Sequence, residues 1–153
     1  MYRLYFEQIV NKTLEECWDF FSNPGNLEKL TPPDLNFIIT SHLENEIYPG
    51  QIITYRIKLF PLINVEWVTE ITHVSDKLYF IDEQRFGPYK FWQHLHRFTQ
   101  TNSGTKIEDI VSYKMPFGIL GKLTHFFFIR KKLENIFRYR NEVISRLDFS
   151  LSG

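Results

Sequence analysis

Two histidines in the second half of the sequence are the residues best suited to chemistry. His94 and His96 alternate with Trp92 and Phe98 in the stretch Gly87–Phe98. Because side chains two residues apart lie on the same face of a β-strand, the pattern predicts all four on one face. Imidazole changes charge near neutral pH and also binds metals. The stretch therefore indicates acid–base, ligand-binding or metal-binding chemistry.

The next predicted strand supplies an acidic partner. It carries side chains at the same two-residue spacing, namely Ile107, Asp109, Val111 and Tyr113. A four-residue loop over residues 101–104 would pair the strands in one register: Gln100 with Thr105, Phe98 with Ile107, His96 with Asp109, His94 with Val111 and Trp92 with Tyr113. Cross-strand neighbours lie about 5 Å apart. The spacing predicts a His96–Asp109 pair, which an odd-length loop or a β-bulge would remove.

Three roles are open for the His96–Asp109 pair. It is a satisfied polar pair in a half-buried sheet, it hydrogen-bonds a ligand, or it moves a proton while Asp109 orients the imidazole. In the last case His94, His96 and Asp109 are the catalytic candidates. The same three residues would suit a metal, but no further histidine or cysteine lies near them in the sequence. We therefore predict neither a metal nor a cofactor.

Arg140 is the second unusual residue. On a helical wheel it falls in the middle of an apolar face, between Phe137 and Ile144. A buried guanidinium needs a partner. The predicted sheet offers four acidic candidates: Glu70, Asp82, Glu83 and Asp109. Two interpretations stay open, a structural ion pair and an anchor for a carboxylate or carbonyl group of a ligand.

The elements that must position these residues follow from the spacing of the apolar side chains. A two-residue period interrupted by turn signals predicts seven strands, at 2–10, 35–42, 51–59, 62–74, 77–86, 89–100 and 105–114. Helical periods predict a helix over 14–21 with a Thr13–Glu16 capping box, a short helix over 26–30 and a long one over 119–149. Strands that run together, with helices at the ends, indicate an α+β fold. We predict a curved antiparallel sheet wrapped around the long C-terminal helix.

A cavity is predicted between that sheet and that helix, because the two touch at the ends and stay apart in the middle. Nine residues form the predicted ligand-binding set: Trp92, His94, His96, Phe98, Asp109, Tyr113, Phe126, Phe137 and Arg140. An aromatic content of 17% fits a cavity lined by rings.

Composition narrows the class of protein. The 153 residues carry 18 basic and 18 acidic side chains, so the positive field of a nucleic-acid-binding protein is missing. One cysteine excludes an intrachain disulfide, and no signal segment or membrane-spanning run is visible. We predict a single cytoplasmic domain over residues 1–153. An excess of basic side chains in residues 114–153 allows at most peripheral contact with a membrane, and nothing predicts the oligomeric state.

Two groups of residues carry a resemblance to a known family. The first is the helix Thr13–Phe21 followed by Asn23-Pro24 and Thr31-Pro32-Pro33, which resembles the start of proteins in the SRPBCC superfamily. That superfamily includes START lipid-transfer domains, polyketide cyclases, coenzyme Q-binding proteins and the plant pollen-allergen family. The second group is similar to bacterial SRPBCC proteins labelled "cell division inhibitor", some of them fused to a sugar-nucleotide epimerase-like domain: Gly87-Pro88-Tyr89, Trp92-X-His94-X-His96-X-Phe98, Asp109-X-Val111-X-Tyr113 and Pro116-Phe117-Gly118.

The resemblance implies a helix-grip fold with an apolar tunnel, and it carries over no catalytic residue. Three functions are open. The first hypothesis is a binding protein for a lipid, isoprenoid or polyketide-like molecule. The second is an enzyme of cyclase, dehydratase or hydrolase type that uses His94 or His96 with Asp109. The third is a protein-interaction module whose tunnel is filled by its own aromatic side chains, and a cavity below about 300 Å³ would favour it.

Overall fold

The computed structural model describes residues 1–60, 63–118 and 128–146. Within them, seven strands form one antiparallel sheet: β1 (Tyr2–Val10), β2 (Ile38–Ile39), β3 (Ile52–Phe60), β4 (Ile63–Ser75), β5 (Tyr79–Phe86), β6 (Phe91–Thr101) and β7 (Gly104–Lys114). Their order across the sheet is β1-β7-β6-β5-β4-β3-β2. Strands β2 to β7 are therefore sequential neighbours, and β1 pairs with β7. The predicted antiparallel pairing of consecutive strands is confirmed.

In the described parts of the chain, one α-helix lies before the run of strands from β2 to β7 and one after it. Helix α1 (Leu14–Ser22) follows β1, and helix α2 (Arg130–Arg146) follows β7. The predicted capping box begins α1, since the Glu16 amide donates to Thr13 Oγ1 at 3.2 Å and the Thr13 amide donates to Glu16 Oε2 at 2.8 Å. One face of α2 is buried as predicted, and it carries Leu133, Phe137, Arg140 and Ile144.

The segment after α1 differs from the predicted short helix over 26–30. A 3₁₀ turn at Pro24–Leu27 takes its place. Proline suits the first position of a helical turn because its φ is already fixed. The Asn23 side chain also caps this turn by accepting from the Gly25 amide at 2.9 Å. The chain therefore begins its turn at the proline, two residues earlier than predicted.

The strand predicted over 35–42 is also wrong in extent, because only Ile38–Ile39 pair with β3. A second 3₁₀ turn occupies Pro33–Leu35, and Asn36 then adopts a left-handed φ of 41°. A residue in that conformation cannot continue a strand. The predicted helical residues 119–127 and 147–149 lie outside the described residues.

Strand β4 bends the sheet. Its pairing with β5 shifts register twice, between Val68 and Thr69 and between Ile71 and His73. A β-bulge bends its strand and increases the local twist. The two shifts give a concave face, which looks towards the helices.

Helix α2 lies against this concave face near β1. The ring of Phe6 on β1 stacks on Phe137 of α2 with centroids 4.5 Å apart. Close by, Gln8 Nε2 donates a hydrogen bond of 3.0 Å to the main-chain oxygen of Asn141. An apolar and a polar contact together fix the helix on the sheet.

The apolar core consists of two clusters of buried side chains. The first surrounds α1 and includes Trp18, Phe20, Phe21, Phe80, Phe98 and Ile144. The second surrounds the opposite end of β6 and β7 and includes Leu35, Trp67, Trp92, Tyr113, Leu133 and Phe137. The boundary between these two clusters is where the polar residues of the candidate site lie.

Candidate functional site

Five polar side chains meet on the concave face and are called the polar cluster: Asp82 of β5, His94 and His96 of β6, Asp109 of β7 and Arg140 of α2. The ring of His96 stacks on Phe80 of the first apolar cluster, with centroids 4.1 Å apart. The ring of His94 makes an edge-to-face contact with Phe137 of the second cluster, with centroids 5.4 Å apart. The polar cluster therefore lies where the two halves of the core meet.

The register of β6 and β7 places His94 and His96 as the sequence predicts. His96 pairs with Asp109, and His94 pairs with Val111. The connection is shorter than the predicted four-residue loop, because Thr101 and Gly104 already pair as strand residues. Both connections contain an even number of residues, so the same side chains still face inwards.

The hydrogen bonds within the polar cluster differ from the simple His96–Asp109 pair. Asp109 Oδ1 lies 2.9 Å from His94 Nε2 and 3.1 Å from His96 Nδ1. The other nitrogen of His96, Nε2, lies 2.9 Å from Asp82 Oδ2. Asp109 is thus shared by both histidines, and Asp82 is a second acidic partner that the sequence analysis assigned only to Arg140.

Arg140 finds its partner in Asp109. Its Nη2 lies 3.1 Å from Asp109 Oδ1 and 3.2 Å from His96 Nδ1, and its guanidinium carbon lies 5.0 Å from the centre of the Phe21 ring. Of the other predicted candidates, Glu70 and Glu83 pair with Arg85 on the sheet. Arg140 is 5% exposed and Asp109 is 2% exposed, so this is a buried ion pair.

Electrostatic coupling keeps both carboxyl groups of the polar cluster ionised. Burial alone would raise the pKa of Asp109, but the Arg140 guanidinium and hydrogen bonds from His94 and His96 hold that pKa well below its usual range. Against the effect of burial, the hydrogen bond from His96 and the nearby His94 lower the pKa of Asp82. Burial lowers the pKa of His94.

A cavity of about 180 Å³ opens beside the polar cluster. Its walls come from α1, α2, the 3₁₀ turn at Pro24–Leu27 and the concave face of strands β3 to β6. Most wall residues are apolar, and four members of the polar cluster line one part of it: Asp82, His94, His96 and Arg140. The cavity is therefore an apolar space with a charged and hydrogen-bonding end.

The predicted ligand-binding set is only partly at the cavity wall. Five of its members line the cavity, namely Trp92, His94, His96, Phe137 and Arg140. Three do not: Asp109 lies behind the histidines, Phe98 packs between Trp18, Phe21 and Phe80, and Tyr113 packs against Tyr2, Tyr89 and Trp92. Strand alternation predicts which face of the sheet a side chain is on. It does not predict that α1 and neighbouring rings lie between an inward-facing side chain and the cavity. The ninth, Phe126, lies outside the described residues.

Two buried N–H groups at the cavity wall have no hydrogen-bond acceptor among the described residues. They are Nε1 of Trp67 and Nε of Arg140. The sequence analysis did not select Trp67, although its alternation with Thr69 and Ile71 on β4 was a usable signal. A buried donor without an acceptor is costly, and it marks a position where a ligand atom or a water completes the bonding.

Comparison with known proteins shows the fold and little else. No model of a protein family matches the chain, and no curated protein matches it. Solved structures do match. Protein Ms6760 from Mycobacterium smegmatis is 14% identical with a TM-score of 0.67, over 95% of this chain and 92% of that one. Ara h 8.0201 is 12% identical with a TM-score of 0.63, over 94% of this chain and 97% of that one.

The chain has a helix-grip fold. The element order, the curved seven-stranded sheet, the C-terminal helix and the likeness to Ara h 8.0201 agree on this Bet v 1-like, SRPBCC-like architecture. It also matches a nucleoside-diphosphate sugar epimerase from Corynebacterium glutamicum at 22% identity and a TM-score of 0.67, over 92% of this chain and 28% of that longer one. Identities this low establish a shared architecture alone. Among the described helices, none is long and apolar enough to cross a membrane.

Proposed function

We propose that the protein binds a small, neutral, oxygen-bearing amphipathic molecule in the 180 Å³ cavity. The observation that carries the proposal is an otherwise apolar space lined by Trp67 and Arg140, each of which has a buried N–H donor without an acceptor among the described residues. A small side-chain shift would bring such a donor to the cavity. A carbonyl or hydroxyl oxygen of a ligand would accept from such donors. The apolar remainder of the ligand would contact the surrounding rings.

The size of the cavity limits the ligand. An engineered protein cavity of about 150 Å³ holds benzene, so this one suits a molecule with one ring or a short branched chain. It is smaller than the ~300 Å³ of usual small-molecule sites, so by this size criterion it favours the interaction-module hypothesis over the binding of a large ligand such as a long-chain lipid. A ligand of about the size of benzene still fits. Burying eight carbons contributes about 6 kcal/mol before the loss of ligand freedom is subtracted, which supports weak to moderate affinity.

The charge of the polar cluster favours a neutral ligand head. The pKa of Asp82 is lowered and Asp82 lines the cavity, so a carboxylate ligand would meet repulsion from this carboxylate. A hydroxyl group, in contrast, can donate to the Asp82 carboxylate while a carbonyl accepts from Trp67 or Arg140. The predicted anchoring of a ligand by Arg140 is thus part of the proposal, with a carbonyl as the partner and a carboxylate excluded.

Binding is tested with matched pairs of small molecules. We expect phenol and acetophenone to raise the melting temperature and bind by calorimetry more tightly than their apolar counterparts toluene and ethylbenzene. Trp67→Phe removes the indole N–H donor together with part of the ring, so acetophenone should lose about five- to tenfold more affinity than ethylbenzene does. Trp18→Phe is the control, because Trp18 is buried and does not line the cavity.

Two results would contradict the proposal. If none of the four molecules binds at millimolar concentration, the cavity is closed to ligands and the interaction-module hypothesis is favoured. If Trp67→Phe and Trp18→Phe have the same effect on acetophenone, the indole donor is not a ligand contact. The enzymatic hypothesis stays a prediction, supported by the two histidines at the cavity wall with carboxylates beside them.

A further inference from the structure

We propose that Asp82, His94 and His96 form a binding site for one first-row divalent transition-metal ion, zinc or ferrous iron, at the polar end of the cavity. This goes beyond binding of an organic ligand and does not depend on it. One carboxylate oxygen and one nitrogen from each imidazole all lie within 4.8 Å of one another. The three residues come from adjacent strands, since Asp82 pairs with His94 across β5 and β6.

The distances between the ligating atoms suit an ion. His96 Nε2 and Asp82 Oδ2 are 2.9 Å apart, and His94 Nδ1 and Asp82 Oδ2 are 3.5 Å apart. Two ligand atoms that each lie 2.0–2.2 Å from a metal, at octahedral or tetrahedral angles, are about 2.9–3.5 Å apart. The third distance, between His94 Nδ1 and His96 Nε2, is at most 4.8 Å, so the two rings must move towards each other to share an ion.

The remaining nitrogen of each histidine has the partner that a metal ligand requires. His94 Nε2 and His96 Nδ1 lie 2.9 Å and 3.1 Å from the same oxygen, Asp109 Oδ1. Metal-binding histidines almost always donate their second N–H to a carboxylate or carbonyl, which fixes the ring and its tautomer. His94 donates from Nε2 to Asp109, so its Nδ1 lone pair points to the side where Asp82 lies. In the metal-free protein His96 Nδ1 accepts from Arg140 Nη2 at 3.2 Å, and His96 Nε2 donates to Asp82 Oδ2. An ion would therefore take the place of the proton on His96 Nε2, and that proton would move to Nδ1, where it faces Asp109. Arg140 holds Asp109 in turn.

Charge also favours an ion at this position. Because His94 Nε2 donates to Asp109, His94 Nδ1 and Asp82 Oδ2 are two acceptors that lie 3.5 Å apart. A divalent ion between them turns both acceptors into ligands. Two imidazoles and one carboxylate leave coordination positions open, as in catalytic zinc and non-haem iron sites. All three residues line the cavity, so those positions are accessible from it.

The test uses the full chain, with any affinity tag removed, after dialysis against a chelator. Zinc is titrated by calorimetry, and cobalt(II) is added as a spectroscopic substitute. We expect one equivalent of zinc to bind and cobalt to give visible d–d absorption. Asp82→Asn and His94→Gln should abolish this stoichiometric binding, and Asp109→Asn should weaken it by about 10- to 100-fold. His73→Gln is the control, since His73 is exposed on β4, and it should bind zinc like the wild type.

A gain-of-signal variant protects the test against loss of folding. His94→Cys keeps a metal ligand at this position, so cobalt should now show a thiolate-to-metal charge-transfer band in the near ultraviolet. Circular dichroism of the metal-free variants confirms that each is folded. The inference is overturned if the folded wild type takes up no equivalent of zinc or cobalt, if uptake depends on His73, or if the cobalt spectrum of His94→Cys lacks the thiolate band. Acetophenone binding without metal uptake would leave the proposed function standing.

Discussion

At the scale of single residues, the buried Arg140–Asp109 pair is the contact on which the polar cluster depends. Asp109 Oδ1 is within 3.1 Å of a guanidinium and two imidazoles. A buried carboxylate that loses its positive partner retains the full penalty of leaving water. Removing one partner should therefore lower the free energy of unfolding by more than the intact ion pair contributes to it.

Replacing Arg140 tests this role. Arg140→Met should lower the free energy of unfolding by about 3–5 kcal/mol, because it keeps the packing of the aliphatic stem and leaves Asp109 unpaired. Urea denaturation measures the change. Arg138→Met is the matched control on the exposed face of α2 and should change stability by less than about 0.5 kcal/mol. Adding Asp109→Asn to Arg140→Met should restore part of the lost stability. Equal urea midpoints for Arg140→Met and Arg138→Met would contradict this role of the buried pair.

Residue patterns predicted one side of the polar cluster and missed the other. Alternation in β6 and β7, with an even-length connection, was enough to place His94, His96 and Asp109 together. Asp82 was not recognised as their partner, because its position beside His94 depends on the β5–β6 register. That register depends on the connection of several residues after Phe86 and on two register shifts between β4 and β5, and periodicity determines neither. The alternation of side chains along a strand also does not predict which inward-facing side chains pack under a helix.

At the scale of elements, the tight turn between β6 and β7 fixes the register that brings the polar cluster together. Gly104 ends this turn with a φ of 118°, a conformation that strongly favours glycine. A Cβ atom there would also collide with the main-chain oxygen of Val10 on β1. One glycine therefore sets the β6–β7 turn and lets β1 approach β7.

Gly104→Ala should reduce the free energy of unfolding by about 3 kcal/mol or more, since backbone strain and a clash with β1 act together. Gly50→Ala is the comparison, because Gly50 also has a positive φ of 90° but has open space around it. That variant should lose only about 1–2 kcal/mol from strain. Thermal and urea unfolding measure both. Equal losses would show that the approach of β1 imposes no steric demand.

Element prediction succeeded where side-chain alternation dominates and failed where proline sets the backbone. β1, β3, β4 and β7 begin and end within a residue or so of their predicted limits because polar and apolar residues alternate along them. Between Pro24 and Ile39 the same criteria predict a helix over 26–30 and a strand over 35–42. Both 3₁₀ turns begin at a proline with a fixed φ, and the Asn23 side chain also caps the first. Average propensities do not include these local effects.

At the scale of the whole molecule, the cavity is unfilled space at the junction of the two apolar clusters. Because protein interiors are normally close-packed, a larger side chain at the cavity wall has room that it lacks elsewhere in the core. Ile71 and Ile107 allow a direct comparison. Both are buried isoleucines on the sheet, and only Ile71 lines the cavity.

Ile71→Phe should leave the unliganded protein as stable as the wild type or up to about 2 kcal/mol more stable, as cavity-filling substitutions do. It should also abolish the rise in melting temperature that acetophenone causes. Ile107→Phe should destabilise the protein by about 1–3 kcal/mol through overpacking. Melting temperatures without acetophenone measure the change in stability, and melting temperatures with acetophenone measure the loss of binding. If Ile71→Phe is as damaging as Ile107→Phe, the space is not available to a ligand.

The pairing of β1 with β7 has a consequence for how the chain reaches its native state. Tyr2 pairs with Tyr113 and Val10 with Thr105, so β1 pairs with the strand that is synthesised last among the described strands of the sheet. Closing so long a loop carries an entropic penalty, and sheets built on distant pairings fold slowly. Until β7 has been synthesised, the backbone N–H and C=O groups that β1 uses to pair with it are unpaired. During this time β1 is a site at which the nascent protein can associate with other chains.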